Sequence, residues 1–416
     1  MVSAMKKPIR VLTNDDGWIL STYGPQISVA DLRDKMVAPH AGTPFDTFTW
    51  SVGGREVFSY ETEIGERFAQ DVEDFADPAA QIRAENLRHL IAEHGGPVTA
   101  ISQLCHQAGM KFFASLRMNT HYNTADDDLG YGSFRRQHPQ WLIGRPDEEL
   151  HPGSLLWGLR TGKDFAFPAV RDFMNDIASE LVERFDVDGI ELDFMRHPGN
   201  FRPDEAYAHR YLLTDMVQHL RRRMDDIGKA RGRDLELAVR VAPTLEDSER
   251  LGLEAGVWIE EGLVDLVVVG LGFNPFAARV DEFAAAAQGT DCRILGCFEA
   301  LRPVLDTEVL RAIAARYWDA GADGLYFFNF YSMSAEWKRN VVGELADPAL
   351  LSRLDKIYEI DKDRGHELDS QIGHAFRYCL PLEQLPLRLE ETRAGRAASL
   401  RFELADDIVA AERDGV

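Results

Sequence analysis

The sequence predicts an α/β fold, a (β/α)8 barrel. Eight short, β-rich apolar runs recur along the chain, with helical patterns between them. Several helices hand over to the next strand through a short glycine-containing link, as at Ala108-Gly109, Glu261-Gly262 and Ala320-Gly321-Ala322. The 416 residues suffice for one large barrel and a small appendage.

The predicted strands are Ile9 to Asp15, Asp46 to Gly53, Lys111 to Asn119 and Gly189 to Met195, then Leu235 to Ala242, Leu263 to Gly270, Arg293 to Ala300 and Gly324 to Phe330. The helices show apolar residues at three- and four-residue spacing, such as Phe173, Ile177 and Leu181, or Leu212, Met216 and Leu220. Two connections, about 55 to 77 after strand two and 121 to 167 after strand three, exceed ordinary βα loops. Both follow strand ends, so they belong on the catalytic face as walls or lids, and Trp141 and Trp157 in the second are either stacking platforms or anchors of their own loop. The barrel is expected over residues 8–347. Residues 348–416 read as a helix (Pro348 to Ile360) and a small β-rich accessory segment containing LPLRLEE and AASLRFELA.

The face of a barrel strand toward the helices must be apolar, so alternation reveals what points inward. In strand four, Ile190, Leu192 and Phe194 share one side, while Glu191 and Asp193 share the other. Burying a carboxylate is costly unless it is paired or used. Strand three sends in Ser115, Arg117, Asn119 and His121, and strand five sends in Glu236 and Arg240, so two carboxylates stand between two guanidinium groups. Such neighbours suit Asp193 to be an ionised base or nucleophile, with a structural ion-pair network as the plainer reading for Glu191 and Arg240. Glu299 ends strand seven with no arginine before it on the rim side, which suits a proton donor. Strand one offers Asn14, Asp15, Asp16 and Trp18, strand two Trp50 and Ser51, strand four's end Arg196, and strand eight Asn329 and Tyr331. Carboxylates, amides, a histidine and aromatics around one mouth suit a sugar, which needs hydrogen bonds along its edges and an apolar face to stack on. Glycoside cleavage usually needs two carboxyl groups across the scissile bond.

A net charge of −23 argues against a nucleic-acid partner, and no apolar run approaches a membrane span. The four cysteines show no CxxC pair, and MVSAMKKPIR lacks the apolar run of a signal peptide, so the chain reads as cytoplasmic. No cofactor is expected. No HxH or HExxH spacing supports a metal site at His121 and His197, although Asp15 and Asp16 are of the type that holds Ca²⁺ or Mg²⁺.

The strand-four motif DGIELDFMRHP, RMNTH on strand three and GVWIEEGLVD before strand six resemble the family-ten-like glycosyl-hydrolase barrels of bacteria, over roughly residues 8 to 345. That resemblance implies catalytic carboxylates at the ends of strands four and seven, here Asp193 (or Glu191) and Glu299, and a retaining mechanism. Strand four closes on Leu192-Asp193 in place of the Asn-Glu pair usual in the wider clan. VLTNDDG (Val11 to Gly17) also resembles the opening of the stationary-phase survival nucleotidases, whose fold the eight-strand order leaves no room for. The resulting expectation is a glycosidase with Asp193 and Glu299 catalytic. Asp15, Asp16, Trp50, Arg117, Asn119, His121, Glu191, Arg196, Arg240, Asn329 and Tyr331 would bind the carbohydrate. The alternatives are a metal-assisted barrel hydrolase, lyase or isomerase, and a non-catalytic glycan-binding barrel.

Overall fold

The computed structural model describes residues 8–54, 56–121, 129–300, 306–360 and 399–406. Eight parallel strands close a barrel: β1 (Arg10–Asp15), β2 (Thr47–Gly53), β3 (Lys111–Arg117), β4 (Gly189–Asp193), β5 (Glu236–Val241), β6 (Leu266–Val269), β7 (Arg293–Glu299) and β8 (Gly324–Phe328). Each strand pairs with its neighbours in chain order, and β1 pairs with both β2 and β8, which seals the sheet and leaves no open edge. Around it run helices that include α1 (Pro78–His94), α2 (Pro97–Gln107), α3 (Pro168–Arg184), α4 (Ala206–Arg231) and α5 (Thr307–Asp319). Helix α3 shows the logic: Val170, Met174, Ile177 and Leu181, spaced four, three and four apart, are all buried against the barrel. Each such side chain contributes roughly 1.5–3 kcal/mol on burial.

Inside, the lumen is layered. At the N-terminal end Arg10 binds Asp46 and Glu236, each at 2.8 Å, and Lys111 binds Glu236 at 2.6 Å. Glu236 therefore points inward as read, but at the floor, far from the strand ends that carry the site. Above it Leu12, Phe113, Ala238, Leu266, Val268, Leu295, Cys297, Tyr326 and Phe328 make an apolar plug. The charged residues of β3, β4, β5 and β7 lie above that plug, so they belong to one end.

The two long connections are joined to each other by a buried ion cluster. Glu56, in the first, accepts from Lys163 Nζ at 2.8 Å and pairs with Arg135 Nε at 3.2 Å, both in the second. Lys163 is fully buried and also donates to the Gly54 carbonyl at 3.0 Å. Burial alone would raise the Glu56 carboxyl, but Arg135 and Lys163 outweigh it and hold it below its ordinary value. Glu56 adopts φ 64°, a left-handed backbone uncommon for a non-glycine residue, which these contacts must offset.

The C-terminal region differs from the sequence reading. The helix expected from Pro348 to Ile360 stops at Leu351. Beyond it the chain leaves the helical path to pack on α5, where the Ile357 N–H donates to the Glu308 carbonyl at 3.1 Å. Residues 399–406 form no strand, and are held by Arg316–Glu403 (2.7 Å) and Lys356–Asp406 (2.9 Å). LPLRLEE lies outside the described residues. Cys105, Cys292 and Cys297 are buried thiols, and no helix among the described residues is long and apolar enough to cross a membrane.

Lys163→Met should therefore cost about 3–5 kcal/mol, the usual consequence of removing one partner of a buried pair. Urea denaturation should register that loss, and limited proteolysis should show earlier cleavage within 56–77 and 129–167.

Candidate active site

The C-terminal strand ends bring charged groups from five strands together. Asp193, last residue of β4, is gripped by Arg240 of β5 in a two-pronged ion pair: Nε to Oδ1 at 2.8 Å and Nη2 to Oδ2 at 2.9 Å. Its Oδ1 also accepts the backbone N–H groups of Met195 and Arg196, each at 2.9 Å. Both side chains are 2% exposed, and the Arg240 guanidinium stacks on the Phe328 ring at 4.0 Å. The Oδ2 atom, with Arg240 as its one hydrogen-bond partner among the described residues, is the oxygen with capacity left.

Asp16, directly after β1, is the second node. Arg117 of β3 binds its Oδ1, Asn329 Nδ2 donates to its Oδ2 at 3.2 Å, and Arg196 Nε lies 3.7 Å from Oδ2. Burial pushes this carboxyl up, yet Arg117 and Arg196 prevail and bring it down to about 2. Asn329 holds φ 64°, a conformation Asn tolerates better than most residues, and this turns the chain after β8 toward Asp16. Glu299, last residue of β7, is buried at the same end. Gly272 (φ 80°) in the connection after β6 lies so close that an added Cβ would come within 2.6 Å of the Glu299 nitrogen. Tyr331, 40% exposed, stands over the mouth, and burial together with Asp15, Asp16 and Glu299 raises its phenol. Trp18, on the neighbouring strand-end turn, is 51% exposed.

One layer down, Glu191 is fully buried and accepts from Asn14 Nδ2 at 3.2 Å. Burial and the nearby Asp193 charge raise its carboxyl, with Ser115, Tyr326 and Arg240 opposing. It fills the lumen under Asp193 and is not exposed to a ligand.

Besides Glu191, four expected site residues lie elsewhere. Trp50 is fully buried in the outer core, in phase with Phe48 and Val52, so β2 presents Ser51 inward in its place. Asn119 is consumed by the loops: it donates to the Lys163 and Gly199 carbonyls at 2.8 and 3.0 Å and accepts from the Thr120 and Lys163 N–H groups. His121 is buried beside His197, and burial lowers its imidazole to about 3, so it is neutral packing beneath the loops. Asp15 sits on the outer face of β1. Burial, with Asp16 adding, raises it to about 6, while the Gly17 N–H and Lys338 oppose. Trp141 stacks on His138 at 3.8 Å and Trp157 under Arg160 at 4.1 Å, which makes both anchors of their own loop.

Lys338 was not anticipated. It is fully buried behind Asp15 and donates to the Tyr331 carbonyl at 3.4 Å, and burial lowers its ammonium to about 8. Its setting, SAEWKRN, looks like ordinary helical surface, and nothing in the sequence marks it. Guanidinium and amide groups occupy the Asp16 oxygens, and among the described residues no group of three His, Cys, Asp or Glu could hold a metal ion.

The sequence matches no family model and no curated protein. Solved structures share the fold. The glycoside hydrolase domain of PgaB (BpsB) from Bordetella bronchiseptica aligns with a TM-score of 0.50 at 15% identity, over 82% of this chain and 98% of that one. What the chain shares with that domain is the (β/α)8 barrel. The alpha-L-fucosidase isoenzyme 2 from Paenibacillus thiaminolyticus gives 0.48 at 12% identity, over 86% of this chain and 54% of that one. The GH36 alpha-galactosidase AgaB from Geobacillus stearothermophilus gives 0.46 at 12%, over 85% and 43%. The chain thus spans about half the length of the fucosidase and less of the galactosidase. At these identities the likeness carries the fold alone, and it assigns no particular family, the family-ten-like barrels included.

Because Asp16 falls from its ordinary 3.8 to about 2, its interactions stabilise the folded state above pH 4, and the gain is lost as pH falls toward 2. Asp16→Asn should be less stable than the parent chain at pH 5, and the gap should shrink by about 2 kcal/mol between pH 4 and pH 2. Urea unfolding of both proteins across that range measures it.

Proposed function

We propose that the chain is a glycoside hydrolase whose reaction is carried by Asp193 and Glu299. The observation that supports this most is the pair itself: two buried carboxylates end β4 and β7 at one mouth of the barrel. Glu299 protonates the glycosidic oxygen. Asp193 Oδ2 faces the anomeric carbon, its geometry fixed by Arg240 and two backbone N–H groups. Its negative charge stabilises the positive charge that develops there, and it bonds to that carbon as the protonated leaving group departs, after which water displaces it and returns a proton to Glu299. Asp16 orients Arg117 and Asn329 toward sugar hydroxyls, and Tyr331 offers a face for stacking.

One observation favours a second reading. Asp193 Oδ1 already accepts three hydrogen bonds, which is how a purely structural carboxylate looks. On that reading the barrel binds a glycan without cleaving it, and binding survives the loss of both carboxylates.

A broad panel of aryl glycosides and polysaccharides identifies a substrate first. On it, Asp193→Asn and Glu299→Gln should each lower kcat by on the order of 10²–10⁴ with the native circular-dichroism spectrum retained. Asp193→Asn, which leaves Arg240 buried without its charge partner, should also lose about 3–5 kcal/mol of stability. Parental turnover by Asp193→Asn would make Asp193 structural. Proton NMR of the first-formed anomer should show retention; initial inversion would recast Asp193 as the base that activates water.

A further inference from the structure

Among the described residues three arginines reach the mouth, and they are not equally engaged. Arg240 has both prongs on Asp193, and Arg117 is bound to Asp16. Arg196 is different. Its backbone N–H is fixed on Asp193 Oδ1 at 2.9 Å, so its position beside that carboxylate is set. Its side chain is 14% exposed, and its guanidinium has one ion-pair approach among the described residues, 3.7 Å from Nε to Asp16 Oδ2, too long for a hydrogen bond. Its Nε is buried without an acceptor, and among the described residues the guanidinium donates no hydrogen bond. A guanidinium carries five N–H donors in a rigid fork that matches an oxyanion two-pronged. Leaving its Nε donor buried and unused costs free energy, which a ligand can recover.

The charges around it agree. Asp16 is already answered by Arg117 and Asn329, so among the described residues Arg196 is the surplus positive group on the β3–β4 side of the mouth. Glu299 lies on the opposite side, and Asp15 faces Lys338.

We propose that Arg196 is the receptor for an oxyanion substituent on the substrate, which makes the preferred glycan an acidic one, carrying a carboxylate or a sulfate ester on the sugar at or next to the cleavage point. This rests on the glycosidase reading for its reaction but not for its binding. The net charge of −23 sets a condition: long-range steering repels an acidic glycan, so the selectivity arises at contact and not in the encounter.

The test uses matched aryl glycosides that differ only at C6: 4-nitrophenyl β-glucuronide, β-glucoside and β-glucoside 6-sulfate, and the corresponding α-galacto set. Calorimetric titration of the full chain reads binding, and nitrophenol release reads hydrolysis. In at least one set the acidic member should bind tenfold or more tightly than the neutral one. Arg196→Gln should reduce that ratio to within twofold, and Arg196→Lys, which keeps the charge but not the fork, should retain part of it. Carboxylate and sulfate members separate the two sources of the oxyanion. Arg196-dependent binding of acidic probes without hydrolysis would uphold the receptor and defeat the glycosidase reading. No preference in any set, or a preference unchanged in Arg196→Gln, overturns the proposal, even if neutral members are hydrolysed.

Discussion

A single buried carboxylate, Asp16, holds the mouth of this barrel in register. It lies just past β1, yet it binds Arg117 from β3, approaches Arg196 beyond β4 and accepts from Asn329 beyond β8. Strand pairing fixes neighbours along the wall; a charge that reaches across the opening fixes strands that do not touch. Its low proton affinity follows from that position, since two guanidinium groups overcome a burial that would otherwise favour the neutral acid.

The second ion pair, Asp193 with Arg240, has a different character. Both groups are almost wholly withdrawn from water, and a pair so buried is weak evidence for stability, because apolar replacements of similar volume often do as well. What the pair provides is geometry. Arg240 is clamped between Asp193 and the Phe328 ring, so Asp193 has no freedom to rotate. The carboxylate beneath, Glu191, can remain in the lumen because burial and Asp193 favour its neutral form.

The long connections are as important as the strands. Glu56, Arg135 and Lys163 lock them to each other, while Asn119 and His121 lock the second one to the end of β4's own connection through Gly199 and His197. These residues have the polarity of a binding site and the hydrogen bonding of a joint. Polar character alone does not separate the two; Asn119 and Lys163 are set apart by having their side-chain hydrogen bonds taken up by the connections themselves.

The sequence by itself determined the barrel, because a period of two with apolar outward faces admits few other folds for eight strands separated by helices. It also determined the inward direction of Arg117, Glu191, Asp193 and Arg240, which follows from that period. The same period would have turned Trp50 outward with Phe48 and Val52. Tertiary structure decided the rest. Whether Asn119 or His121 meets solvent depends on how a connection some fifty residues long folds back, which no local pattern encodes. The partner of Asp16 lies 101 positions away in one case and 313 in another, and the C-terminal helix ends where the chain finds α5 instead of water. Lys338 became a buried cation only when β1 and β8 closed beside it. Long-range contacts set burial, burial sets proton affinity and partners, and those decide which polar residues are free to act on a ligand.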